Sequence, residues 1–323
     1  MAHNLLLIGL GVLLLYGGGE LLVRGSSQLA RLLGMKPLII GLTVVAFGTS
    51  SPELAATLVS TLEGAPQLAL GNVLGSNVAN LGLILAVSAL LRPLVAEAKF
   101  IRRELPVMIG AGVILLLMMA LGGGQLGWWN GLLLLLGMAV YLVILLRDGE
   151  PPAVEQEFAR EFGPTRGDRR QALLRFTIMI VVGIGLLVGG AEVLVRGAVA
   201  IAQAFQVSDR IIGITLVAVG TSLPELAGCL VAAWRNEGDI ILGNVIGSNI
   251  FNVLLILGVT VLVRPLQVPL AEVVPDLLVM LAFSVAVVPL LLVGRATRLH
   301  RWEGLLLLLG YLAYMGYLAT HLA

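Results

Sequence analysis

Ten segments of mostly apolar residues take up almost the whole chain. A helix of about 20 residues crosses the hydrocarbon core of a bilayer, so each segment is long enough to span a membrane. Only 12% of the 323 residues are charged, against roughly 25% in a soluble domain. The sequence therefore predicts an all-α integral membrane protein with ten transmembrane helices, at 4–26, 37–61, 68–91, 104–122, 127–146, 173–203, 211–234, 240–263, 273–293 and 303–321.

The two halves of the chain are repeats of each other, 172 positions apart. GLTVVAFGTSSPELA (41–55) and GITLVAVGTSLPELA (213–227) agree at 11 of 15 positions. GNVLGSNVANLGLIL (71–85) and GNVIGSNIFNVLLIL (243–257) agree at 10 of 15. We therefore predict a first five-helix repeat, a hydrophilic linker and a second five-helix repeat, with boundaries at 1–146, 147–171 and 172–323 and with the duplicated motifs at 41–85 and 213–257.

Five helices per repeat is an odd number, so the second repeat enters the membrane upside down relative to the first. Basic residues collect in cytoplasmic loops. With the linker in the cytoplasm, 16 of the 20 Lys and Arg residues fall on the cytoplasmic side. We therefore expect a multi-pass protein of the plasma membrane (the inner membrane of a bacterium or archaeon), with both termini outside. Inverted repeats are typical of secondary transporters, whose sites lie near the bilayer midplane.

The second helix of each repeat carries a proline and a glutamate inside an apolar run. Ala46, Thr49, Ser50 and Glu53 follow an i, i+3, i+4, i+7 spacing and so share one helical face. Pro52 lacks an amide proton, which predicts a kink that frees backbone oxygens beside these side chains. The second repeat has the same face, made of Ala218, Thr221, Ser222 and Glu225.

The third helix of each repeat adds amides and hydroxyls. Asn72, Ser76 and Asn80 are four residues apart, and the second repeat has Asn244, Ser248 and Asn252. Asn72 and Asn244 either brace neighbouring helices or touch an ion. The remaining residues of both helices predict a site with oxygen ligands only, which suits the hard cations Ca²⁺ and Na⁺ rather than zinc or copper.

Other charged residues in the apolar segments have structural explanations. Glu20 and Glu192 each precede an arginine by four residues, at Arg24 and Arg196, which predicts ion pairs within a helix. We expect Glu104 and Asp276 to lie near helix starts, where an acidic residue complements the helix dipole.

The paired motifs GTSSPE with GNVLGSN, and GTSLPE with GNVIGSN, resemble the two alpha-repeats of the cation/calcium exchanger superfamily, specifically its prokaryotic sodium/calcium branch. The resemblance implies exchange of about three sodium ions for one calcium ion by alternating access. It implies that Glu53 and Glu225 bind calcium and share the sodium ions. It further implies that oxygens of ten more residues complete the ion sites: Ala46, Thr49, Ser50, Ser76, Asn80, Ala218, Thr221, Ser222, Ser248 and Asn252.

Two details of the motifs bear on the choice of ions. Asn252 is an amide where potassium-dependent relatives carry an aspartate, which argues against potassium dependence. Proton/calcium exchangers of the superfamily usually carry a histidine or acidic residue in the third-helix motif, and this chain has neither. A proton/calcium antiporter stays open as an alternative, because burial can raise the pKa of a glutamate.

From another class, a passive cation channel is a second alternative, although inverted repeats argue against it. No HExxH, GxSxG or GxGD motif supplies a nucleophile or a metal, so we expect a transporter rather than an enzyme. We expect no cofactor besides the transported Ca²⁺ and Na⁺, no nucleic-acid partner, and a monomer that functions in the lipid bilayer.

Overall fold

The structure is a computed structural model that describes residues 2–147, 166–205, 218–292 and 297–321. Most of the predicted linker and residues 211–217 of the seventh predicted segment lie outside this part of the chain. The helices of the described part are α1 (Ala2–Leu33), α2 (Pro37–Thr49), α3 (Ser51–Leu62), α4 (Pro66–Leu91), α5 (Ala98–Leu121), α6 (Trp128–Arg147), α7 (Arg166–Ala204), α8 (Ala218–Thr221), α9 (Leu223–Trp234), α10 (Gly238–Val263), α11 (Leu270–Leu292) and α12 (Arg301–His321).

The protein is an all-helical membrane protein. The described residues of each of the ten predicted segments are mostly helical. By length and apolar composition, seven helices of the described part can cross a membrane, or eight if α2 and α3 form one bent span. The count of ten crossings stays a prediction.

In the described part of the chain, three short turns of π-helix interrupt the long helices. One lies in α2 at Gly41–Val45, one in α4 at Asn80–Leu85 and one in α10 at Asn252–Ile256. The last two begin at asparagines 172 positions apart, so the duplicated sequence repeats this irregularity. A π-helical turn shifts the i→i−4 bonding pattern and is frequent at functional sites.

The described residues divide into two compact units that do not follow the sequence repeats. The first unit is Met1–Thr49 with Ala139–Asn244, and the second is Ser50–Met138 with Val245–Ala323. Each unit therefore contains residues from both repeats.

In the first unit, α1 and α7 pack against each other through glycines seven residues apart. A methyl group on Gly18 would lie 2.8 Å from the carbonyl oxygen of Gly183, and one on Gly11 would lie 2.8 Å from that of Gly190. Because the partner numbers fall as the α1 numbers rise, the two helices run antiparallel. Such small residues let helix backbones approach closely in a membrane.

The second unit contains α4 and most of α10, two deeply buried helices. Their most apolar stretches of 18 residues are 78% and 83% buried, against 39% for α5 and 28% for α11. Two pairs of two-residue strands join the loops of this unit: β1 (Leu94–Val95) with β4 (Arg298–Leu299), and β2 (Gln125–Leu126) with β3 (Leu266–Gln267), both antiparallel. The sequence did not predict these strands.

Candidate cation site

Glu53 and Glu225 each lie in the first turn of a helix that begins directly after a non-helical serine. Ser50 has φ −82° and ψ 8°, outside the helical region, and it separates α2 from α3. α3 then starts with Pro52 and Glu53 in its first turn. Proline is favoured there because an amide proton at that position would have no helical acceptor, so its absence costs nothing. The helix N-terminus also favours a carboxylate. The predicted kink is therefore a helix start.

The second repeat has the same local structure. Ser222 has φ −90° and ψ 5°, and it separates α8 from α9. Pro224 and Glu225 occupy the first turn of α9, and the amide of Leu226 donates the first helical bond to the Ser222 carbonyl at 3.0 Å. Glu53 and Glu225 are both only 1% exposed. Burying a carboxylate is costly unless it is compensated, so two such positions point to a function.

Most of the other predicted site residues are buried too. Thr221 is partly exposed, and of Ala218 only the backbone is described. The buried members, besides the two glutamates, are Ala46, Thr49, Ser50, Ser76, Asn80, Ser222, Ser248 and Asn252.

The twelve predicted residues are shared equally between the two compact units. In the first unit, α9, which carries Glu225, packs against the Ala46–Thr49 end of α2. In the second unit, α3, which carries Glu53, packs against α4 and against the π-helical turn Asn252–Ile256. Each unit thus combines one glutamate helix with a segment of the other repeat that carries predicted site residues.

Asn244 joins three helices of the first unit. Its Oδ1 accepts a hydrogen bond from Thr49 Oγ1 at 3.1 Å, and its Nδ2 donates to the Cys229 sulfur at 3.4 Å. Thr49 Oγ1 can instead donate to the Val45 carbonyl, also at 3.1 Å. Asn244 thereby ties the end of α2 to the helix that carries Glu225.

Asn72 joins α4 to α3 in the second unit. Its Nδ2 lies 3.0 Å from Thr57 Oγ1 and 3.3 Å from the carbonyl oxygen of Glu53. Thr57 is the counterpart of Cys229 in the first repeat. Of the two interpretations that the sequence allowed for Asn72 and Asn244, these contacts correspond to helix bracing.

Four asparagines form one buried cluster where α4 meets α10 in the second unit. Asn80 Nδ2 donates to Asn249 Oδ1 at 3.0 Å, and Asn252 Nδ2 donates to Asn77 Oδ1 at 2.9 Å. The Oδ1 atoms of Asn80 and Asn252 are buried and have no hydrogen-bond partner in the described part of the chain. Sequence analysis missed Asn77 and Asn249, although each directly follows a predicted ligand, Ser76 or Ser248.

The predictions for Glu20, Glu192, Glu104 and Asp276 had different outcomes. The ion pairs are confirmed: Arg24 Nε lies 2.9 Å from Glu20 Oε2, and Arg196 pairs with Glu192. Glu20 also accepts from Arg235 of α9.

The prediction that the helix dipole explains Glu104 and Asp276 is wrong, because both lie beyond the first turn, where that effect acts. α5 begins at Ala98 and α11 at Leu270, so each acidic residue is the seventh of its helix. Glu104 pairs with Arg103 at 2.5 Å, and Asp276 accepts a hydrogen bond from the Tyr314 hydroxyl at 2.8 Å.

The donor set of the candidate site is carboxylate, amide, hydroxyl and backbone oxygen. Zinc or a redox metal would use a group of three or more His, Cys, Asp or Glu side chains. Among the described residues no such group comes together. Oxygen ligands with few charges suit calcium and sodium, which tolerate flexible geometry.

These features define a multi-pass α-helical membrane protein with two related sets of candidate oxygen ligands, most of them buried. Residues 3–147 and 175–320 match the family model described as sodium/calcium exchanger protein. The chain therefore belongs to the sodium/calcium exchanger family, and specifically to the prokaryotic branch of the cation/calcium exchanger superfamily.

Named relatives match this chain over nearly its whole length. Sodium/calcium exchanger MaX1 of Methanosarcina acetivorans is 33% identical, with 97% of each chain covered. Inner membrane protein YrbG of Escherichia coli is 34% identical over 98% of this chain and 97% of its own. A solved structure of the sodium-calcium exchanger NCX_Mj, soaked with 10 mM Na⁺ and no Ca²⁺, superposes with a TM-score of 0.82 at 30% identity and covers 97% of this chain and 98% of that one.

Proposed function

We propose that this protein is a secondary active sodium/calcium antiporter that exchanges about three Na⁺ for one Ca²⁺ by alternating access. The observation that carries the proposal is the duplicated glutamate. It is 1% exposed in both copies, and each copy lies in the first turn of a helix that begins after a helix interruption. Family membership and the names of MaX1 and NCX_Mj support the same ions.

The proposed ion site comprises the twelve residues that the motifs indicated. The two carboxylates supply the charge, and hydroxyl, amide and backbone oxygens complete the coordination. Its members are Ala46, Thr49, Ser50, Glu53, Ser76, Asn80, Ala218, Thr221, Ser222, Glu225, Ser248 and Asn252.

Charge balance gives a physical reason for coupling. Two ionised glutamates carry a charge of −2, which one Ca²⁺ neutralises and three Na⁺ exceed by one. An empty site at −2 would have to cross a low-dielectric barrier, where uncompensated charge costs several kcal/mol. The protein therefore returns only when it is loaded, and calcium movement in one direction requires sodium movement in the other.

We further propose ten membrane crossings arranged as two inverted repeats, with the linker in the cytoplasm, in the inner membrane of the cell. The antiparallel packing of α1 and α7, the first helices of the two repeats, supports the inversion. The strand pairs support the loop assignment: β1 and β4 both lie in loops that the positive-inside rule puts in the cytoplasm, and β2 and β3 both lie in outside loops. The name of the Escherichia coli relative supports the membrane.

Calcium uptake into proteoliposomes that hold the pure protein tests this function. Vesicles loaded with Na⁺ and diluted into Na⁺-free buffer should accumulate ⁴⁵Ca²⁺, whereas vesicles loaded with choline should not. A third set, with an outward proton gradient and no sodium, tests the proton/calcium alternative. Uptake that follows the proton gradient and ignores sodium would replace the sodium/calcium proposal with proton/calcium exchange.

A further inference from the structure

Asn77 and Asn249 occupy equivalent positions in the two repeats and make equivalent contacts within the second unit. Each accepts a side-chain hydrogen bond from the other repeat: Asn249 Oδ1 from Asn80, at 3.0 Å, and Asn77 Oδ1 from Asn252, at 2.9 Å. All four residues are at most 2% exposed. The ligand and the residue that holds it therefore always come from different repeats.

The orientation of Asn77 and Asn249 is itself determined by the backbone. The Nδ2 of each faces the main-chain carbonyl of the other at 3.4 Å. Each Nδ2 also faces a methionine sulfur, Met280 for Asn77 at 3.4 Å and Met108 for Asn249 at 3.6 Å. These methionines are likewise 172 positions apart. Flipping either amide would turn its oxygen toward a carbonyl oxygen and its NH₂ toward another NH₂.

This arrangement decides which way the predicted ligands point. Because Asn249 presents an oxygen to Asn80, Asn80 must present its NH₂ in return, and its own Oδ1 faces the opposite way. The same holds for Asn252 through Asn77. The Oδ1 atoms of Asn80 and Asn252, which face away from these hydrogen bonds, are buried without a hydrogen-bond partner in the described part of the chain, an arrangement that is costly for a polar group. A cation would satisfy an amide oxygen but would be repelled by an amide NH₂.

We propose that Asn77 and Asn249 are positioning residues that hold Asn252 and Asn80 with their side-chain oxygens directed at the transported cation. The inference rests on the proposed function, because it assigns Asn80 and Asn252 to the ion site. Neither positioning residue needs to touch an ion. Groups that orient metal ligands in this way typically change metal affinity 10- to 100-fold when they are removed.

Double-mutant analysis of calcium binding tests the proposal. Asn249→Leu keeps the approximate volume but removes the acceptor, and it should raise the Ca²⁺ dissociation constant about 10- to 100-fold. In an Asn80→Leu background the same substitution should add little, because Asn249 acts only through Asn80. The cross pair is the control: Asn77→Leu should still weaken binding in that background, because Asn77 serves Asn252. Multiplicative effects of Asn249→Leu and Asn80→Leu would overturn the proposal.

A second variant separates positioning from charge. Asn249→Asp keeps an acceptor for Asn80 but turns its second oxygen toward the Asn77 carbonyl. It should therefore regain part of the Ca²⁺ affinity that Asn249→Leu loses, and only while Asn80 is present. If aspartate gives the same advantage over leucine in the Asn80→Leu background, its charge acts directly and the positioning role is wrong.

The measurement is calorimetric titration of the purified full-length protein with CaCl₂, after size-exclusion chromatography has shown that each variant is folded. This readout does not require transport. Failure of the wild-type protein to exchange sodium for calcium would defeat the proposed function. Normal exchange by the wild type together with unaltered binding by Asn249→Leu would defeat only the present inference.

Discussion

Replacing Glu53 by glutamine removes one of the two buried charges and keeps the shape of the side chain. Glu53 is 1% exposed, so solvent screens its interaction with a bound cation very little. Removing one partner of a buried ionic interaction costs about 3–5 kcal/mol, and even the lower figure corresponds to more than about 100-fold weaker Ca²⁺ binding. Exchange should therefore be abolished.

Thermal unfolding gives the sharpest assay, because it separates binding from folding. At a Ca²⁺ concentration of about 100 times the wild-type dissociation constant, binding stabilises the folded protein by about 2.7 kcal/mol. A variant with 100-fold weaker binding gains only about 0.4 kcal/mol at that concentration. Without cations Glu53→Gln should be at least as stable as the wild type, because a neutral amide is easier to bury than a carboxylate.

The matched control is Glu192→Gln, since Glu192 is 60% exposed and pairs with Arg196 on the same helix. That substitution should leave both Ca²⁺ stabilisation and exchange intact. Glu225→Gln should behave like Glu53→Gln, because its local structure is the same. If Glu53→Gln is folded, exchanges normally and keeps the full Ca²⁺ stabilisation, the assignment of this carboxylate to the ion site is refuted.

Three further predictions concern ion choice, voltage and helix packing. Mg²⁺ should compete poorly with Ca²⁺ in calorimetry, because it demands near-octahedral geometry and sheds water reluctantly; equally tight binding of both ions would contradict this. A three-to-one exchange moves one charge per cycle, and each charge is worth about 2.3 kcal/mol per 100 mV. A potassium–valinomycin potential should therefore bias the exchange equilibrium roughly fifty-fold over 100 mV. Exchange that is indifferent to voltage would indicate a two-to-one stoichiometry. Gly183→Ala should destabilise the protein by about 1–3 kcal/mol, because the added methyl group would lie 2.7 Å from the Leu22 amide nitrogen. Gly185→Ala should not, because among the described residues no neighbouring helix or side chain lies within 4 Å of its added methyl group. Equal melting temperatures for the two glycine variants would rule out tight α1–α7 packing.

The sequence predicted the parts of the structure that depend on local composition. Long apolar runs became helices, because a helix satisfies its own backbone hydrogen bonds in a nonpolar medium. The Pro-Glu pairs interrupt the helices as predicted, but as helix starts rather than as kinks. The helix starts of α5 and α11 were placed too late. In α5 three charged residues lie in AKFIRR, ahead of the predicted start, and in α11 Glu272 lies directly before the predicted start.

The asparagine cluster and the π-helical turns were beyond sequence reasoning. Asn77 and Asn249 are visible in the duplicated Ser-Asn pair, but their role depends on which residues of α4 face α10. That is a non-local property of helix crossing. The turns at Asn80–Leu85 and Asn252–Ile256 have the same apolar composition as an ordinary α-helix. Strands of two residues are too short to show an alternating pattern.

The compact units also had no signal in the sequence. The repeats are contiguous along the chain, whereas each unit takes segments from both of them. The duplicated pattern shows which residues are equivalent. It does not show that α9 packs against Ala46–Thr49, or that α3 packs against Asn252–Ile256. Those pairings depend on tertiary contacts between segments far apart in the chain.

Simultaneous measurement of ²²Na⁺ efflux and ⁴⁵Ca²⁺ influx in the same proteoliposomes tests the central claim of coupled exchange most directly. The account predicts a ratio near three Na⁺ per Ca²⁺, no Ca²⁺ influx without internal Na⁺, and no Na⁺ efflux into buffer that lacks both Ca²⁺ and Na⁺. Glu53→Gln should suppress both fluxes together. Sodium efflux that continues unchanged when external Ca²⁺ is removed would contradict obligatory exchange and would indicate a passive cation channel.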